Sequence, residues 1–133
     1  SGNDFVRRLF AERALSCAGN EKRTSTGELT AIMLGKDFAF ASLPGEPFNG
    51  IAQAIRAKSP FRRTFIVTLA QLSNNSYYPM PDCYAHGGYE TMPHGKAPAT
   101  DSAERIIGAV TELLARKPVP KKAAAKRKAG KPK

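Results

Sequence analysis

Tryptophan is absent from the 133 residues, cysteine occurs twice and methionine three times. Two cysteines, Cys17 and Cys83, are too few for a disulfide framework and lack the spacing of a metal finger. A buried free thiol is the expected state of each. Nowhere do about 18–20 apolar residues run together, so the sequence offers no transmembrane helix. The first residues, Ser1-Gly2-Asn3-Asp4, show neither a methionine nor a signal-type apolar core, and read as a processed end or the edge of a fragment. Acidic residues are missing altogether from 117–133, where eight Lys and Arg fall. That segment supplies most of the net charge of +10. Residues 1–116 hold 13 basic and 11 acidic side chains and are close to neutral. The charge therefore does not mark the whole protein as a polyanion binder.

What is present reads as a globular body, 1–116, and a Lys/Ala/Pro-rich tail, 117–133, with no apolar face to bury and hence expected to be disordered. Between Asp4 and Ala18, Val6, Leu9, Phe10, Ala14 and Cys17 recur at helical spacing before Gly19-Asn20. Two strand-like runs, 27–34 and 37–43, flank Gly35-Lys36, and glycine accepts positive φ cheaply, so a hairpin is expected. Pro44-Gly45 ends the second run. Pro47 suits the first turn of a helix whose Phe48, Ile51, Ala52 and Ile55 share a face and which stops before Ser59-Pro60. The β-rich run 64–70 then gives strand, helix, strand, the pattern of a βαβ crossover. The fold class is thus α/β: a partial layered domain whose small mixed sheet, a hairpin plus a crossover, is packed by two or three helices. One of these is a last helix opening at Asp101-Ser102-Ala103-Glu104, a capping-box pattern. Its Ile106, Ile107, Val110, Leu113 and Leu114 form a stripe that must dock on the sheet.

Chemistry concentrates between Gln71 and Pro98, an irregular stretch holding all four tyrosines. His86 and His94 have no zinc-motif spacing and read as surface or loop histidines. Gly87-Gly88 lacks the strand–loop–helix context of a phosphate loop. No Lys or Arg interleaves Tyr77, Tyr78, Tyr84 and Tyr89, as a base-stacking platform would require. Glu46, taken alone, is a carboxylate favoured at a helix N-terminus.

The order Leu43-Pro44-Gly45-Glu46-Pro47-Phe48, Ser59-Pro60-Phe61, an apolar strand, Tyr77 with Pro79, then Gly87-Gly88-Tyr89-Glu90 resembles the C-terminal half of the catalytic domain of neutral/alkaline non-lysosomal ceramidases, bacterial branch. The resemblance runs from about Ala11 to Arg116. It implies a zinc-dependent enzyme, a lipid-metabolic amidohydrolase that cleaves an N-acyl amide of ceramide type to fatty acid and amine. By the same resemblance Glu46 and Tyr77, with Tyr78 as the alternative, are metal ligands, and Pro44, Gly45, Tyr89 and Glu90 are their supporting neighbours. The family's two histidine ligands belong to an N-terminal half that these residues do not include, so this chain alone is expected to be inactive. The family setting implies a bacterial, extracytoplasmic or membrane-associated protein. The other class of function is a non-catalytic basic protein whose Lys117–Lys133 segment contacts nucleic acid or anionic surfaces by charge.

Overall fold

The computed structural model describes residues 2–17, 26–70, 76–91 and 99–116. In chain order the elements are α1 (Gly2–Cys17), β1 (Thr30–Leu34), β2 (Phe38–Ser42), β3 (Glu46–Pro47), α2 (Asn49–Lys58), β4 (Arg63–Val67), β5 (Tyr77–Tyr78), α3 (Cys83–His86), a single 3-10 turn (Tyr89–Thr91) and α4 (Ser102–Ala115). Strands β1, β2 and β4 form a sheet in that order, and β3 and β5 form a second, two-residue ladder. The chain is therefore a small mixed α/β domain with open sheets and helices packed around them, as the alternation of patterns predicts. None of the described helices is long and apolar enough to cross a membrane.

The hairpin forms between β1 and β2, antiparallel with Thr30 opposite Ser42 and Leu34 opposite Phe38. It is shorter than the sequence runs because Gly35, Lys36 and Asp37 all enter the turn, with Gly35 at φ +63°. The crossover forms as well. β2 and β4 run parallel with Phe38 opposite Arg63 and Ser42 opposite Val67, and α2 connects them.

Helix α2 begins two residues later than Pro47 suggests. Pro47 belongs to β3, and Phe48, extended at ψ 150°, donates its N–H to the Tyr78 carbonyl at 3.0 Å. That bond holds the backbone out of helical geometry until Asn49. The far end is closed by Ser59, whose Oγ lies 2.6 Å from Thr64 Oγ1 and accepts the Phe61 N–H at 3.2 Å. Arg56 Nε adds a bond to the Thr64 carbonyl at 3.2 Å. The Ser59-Pro60-Phe61 turn is thereby tied to the start of β4, and the buried Thr64 hydroxyl is satisfied.

One face of the main sheet carries small side chains. Ala39 and Ala41 are buried there with Thr64, and Ala31 packs beside them. Their size lets Ile51 and Ile55 of α2 and Ala103, Ile107, Val110 and Leu114 of α4 come down on the sheet as one core. Helix α4 packs against α2 and against β1, so its stripe finds both a helix and a strand as partners. Its Asp101 N-cap makes no side-chain capping bond, and the capping-box expectation is not met. Helix α1 forms as its periodicity predicts, yet Phe5, Val6 and Leu15 are exposed, while Leu9 and Phe10 are partly covered. Cys83 is free and only partly buried, rather than the buried thiol expected. The tail 117–133, His94 and the Cys17 side chain lie outside the described residues.

Candidate functional site

Beyond the carboxyl ends of the parallel strands β2 and β4 the chain does not diverge at once. Leu43 donates its N–H to Val67 at 2.8 Å, Leu69 donates to Gly45 at 3.0 Å, and Ala70 donates to Leu43 at 3.4 Å. Pro44 and Gly45 are buried in this extension, with Gly45 at φ +58°, a left-handed conformation that suits glycine. The turn it makes delivers Glu46 to the rim. Open α/β sheets place ligands at this end of their parallel strands.

Here the second ladder brings two distant segments together. β3 and β5 run parallel, with Glu46 opposite Tyr77 and Pro47 opposite Tyr78. The Glu46 N–H donates to the Ser76 carbonyl at 3.0 Å. Side chains alternate along a strand, so the two tyrosines part company. Tyr78 is buried in the core beside Ile51 and Ile55, whereas Tyr77 is half-buried on the same side of the ladder as the exposed Glu46. Of the two candidates, Tyr77 is the one that shares a rim with Glu46.

Tyr89 and Glu90 join them. The Tyr77 and Tyr89 rings meet edge-on with centroids 5.9 Å apart, and Phe10 of α1 meets Tyr89 edge-on at 6.1 Å. The Glu46 carboxylate, then partial burial, then Tyr89 and Glu90 push the Tyr77 phenol above its ordinary pKa. A phenol is protonated at neutral pH, and these neighbours reinforce that state. All four residues that the resemblance groups around Pro44-Gly45 thus lie at one rim. Phe10 is an addition for which the sequence gives no signal, because an aromatic residue on a helix usually denotes core. His86 stands exposed at the end of α3, apart from the residues that shift Tyr77.

The expected zinc ion is corrected. A zinc site needs about three protein ligands of Cys, His, Asp or Glu type. Among the described residues no group of three or more His, Cys, Asp or Glu stands close enough to hold a metal ion. Glu46 with Tyr77 does not make up that set.

Compared with family models, curated proteins and solved structures, the chain matches none. Together with the missing ligand cluster, this also corrects the labels that the resemblance would attach to the chain: zinc protein, hydrolase, ceramidase relative and member of sphingolipid metabolism. What stands is a small mixed α/β domain that pairs a carboxylate with a phenol at the open end of its parallel strands.

Proposed function

We propose that this chain forms one wall of a site for an N-acyl amide, with Glu46 and Tyr77 as its polar contacts. The observation that carries the reading is the parallel pairing of Glu46 with Tyr77 at the end of β2 and β4. An amide offers one N–H donor and one carbonyl acceptor, and the rim offers a carboxylate acceptor beside a protonated phenol. The carbonyl oxygen of the bound amide would accept from the phenol O–H, and its N–H would donate to the carboxylate. The proposal is one of recognition: the chain binds the amide through these two side chains.

The test is tyrosine-ring NMR on the full chain titrated with a short-chain N-acyl ethanolamine. A saturable shift of the Tyr77 resonance, lost in Glu46→Gln, is expected. No shift, or an equal shift in the variant, overturns the assignment.

A second reading rests on a separate observation, the eight basic and no acidic residues of 117–133. It assigns that segment a charge-driven contact with nucleic acid or an anionic surface. Affinity for duplex DNA should then fall steeply with salt and vanish when 117–133 is removed. Salt-insensitive binding, or none, overturns it.

A further inference from the structure

The main sheet buries Ala39, Ala41 and Thr64 on one face and leaves several large apolar residues open on the other. On the face away from α2 and α4, the register places Ile32, Phe40 and Phe65 in one row across the three strands. Leu34, Phe38 and Arg63 form the row on one side of it, and Thr30, Ser42 and Val67 the row on the other. Ile32, Leu34, Phe38, Phe65 and Val67 are 57%, 54%, 46%, 46% and 45% exposed. Phe40 and Phe65 stack nearly parallel, 4.9 Å between centroids and 18° between planes, at the centre of the patch. Sheets that are apolar on both faces belong in layered structures covered on both. Contiguous apolar patches of several hundred Å² mark interaction sites.

We propose that this face is the interface between two copies of the chain, packed sheet on sheet about a two-fold axis along the Ile32–Phe40–Phe65 row. Area argues for a second copy. Large apolar residues that each carry about 200 Å² and stand half open leave on the order of 500 Å² per copy, so pairing removes about 1,000 Å², the level that a specific interface clears. Shape argues for this axis. It sets each member of the middle row against its own counterpart. It also reverses the strand direction, so that Phe38 lies over the partner's Ser42 and Leu34 over the partner's Thr30. Bulky rows then meet small ones. Arg63, the single charge in the three rows, faces the partner's Val67 rather than another arginine. The near-neutral body of each copy opposes the approach little.

Sedimentation of the full chain at micromolar concentration tests the proposal. A mass of two chains is expected for the unmodified protein. Phe65→Lys and Ile32→Lys set like charges against each other across the axis and should each give a monomer with unchanged far-ultraviolet circular dichroism. Leu15→Lys, on the exposed side of α1, should remain dimeric and controls for added charge. A monomeric unmodified chain overturns the proposal, and so does a dimer that survives both face substitutions. A monomer whose sheet face is protected from hydrogen exchange only by phosphatidylcholine vesicles would assign the face to lipid, and overturns it too.

Discussion

Leu69 donates its backbone N–H to the carbonyl of Gly45 at 3.0 Å, and both residues occupy the left-handed region, at φ +54° and φ +58°. Glycine adopts this conformation freely, but for leucine it costs roughly 1–2 kcal/mol. The strain sits directly beneath the rim that carries Glu46 and persists because the two chain extensions beyond β2 and β4 are locked together. Leu69→Gly should therefore raise stability, by about 1 kcal/mol. Gly45→Ala should lower it by a similar amount, since the new Cβ enters the same unfavourable region. Urea denaturation of both variants checks the pair of signs. A loss of stability in Leu69→Gly would count against strain at that position.

The phenol of Tyr77 titrates above its ordinary value, with Glu46 as the largest cause and Glu90 the smallest. Glu46→Gln should bring its ionisation down toward about 10, and Glu90→Gln should move it less. The sign for stability follows from proton counting. The unfolded chain ionises this phenol first, so it holds fewer protons above about pH 10, and the folded state loses stability as pH rises through the folded value. The Glu46→Gln protein should lose less over the same range. Carbon-13 labelling of the tyrosine rings reads the titration, and alkaline denaturation reads the linkage.

Ser59 and Thr64 share a hydroxyl contact at the turn from α2 to β4. Ser59→Ala removes the bond to the Phe61 N–H and leaves the buried Thr64 hydroxyl short of a partner, a loss of about 1–3 kcal/mol. Thr64→Val added to Ser59→Ala should recover part of that loss, because no polar atom is then stranded. A double-mutant cycle in denaturant measures the coupling. Simple additivity of the two substitutions is the result that contradicts the account.

Ala39 and Ala41 are 0% and 1% exposed, and the two covering helices rest on them. Ala41→Leu should cost about 1–3 kcal/mol by overpacking. Leu114→Ala, on the helix side of the same core, should cost about 2–5 kcal/mol through the cavity it leaves. Thermal and chemical unfolding should rank both far above any substitution on α1, whose apolar side chains are largely exposed.

The main sheet was legible because its signals are local. Alternation in 30–34 and 38–42 and the glycine at 35 specify a hairpin, while Ile51–Ile55 and the Ile107–Val110–Leu114 stripe specify buried helix faces. The two-residue ladder was not legible, because its stability comes from pairing across α2 and β4 rather than from the propensity of Glu-Pro or Tyr-Tyr. For the same reason Pro47 reads as helix in sequence and is strand in the fold. Gly45 announces its left-handed turn, whereas Leu69 gives no sign, since only its bond to Gly45 makes that conformation worthwhile. The nearness of Glu46, Tyr77, Tyr89 and Glu90 is not contained in their spacing, because it comes from the ladder and from the ring contact of Tyr77 with Tyr89. The zinc ion inferred along with them was not supported by the residues that stand together.

The parallel ladder of Glu46 with Tyr77 ties the rim to the packing of the core. A slip of β5 by a single residue would trade Tyr77 for Tyr78, drive a ring out of the core and bring its neighbour in. Such a mispaired chain would still set a phenol opposite Glu46 but would lose the packing beneath it. An error in the polar site therefore cannot pass unnoticed by the core, and a folded population carries the carboxylate–phenol pair as a matter of course.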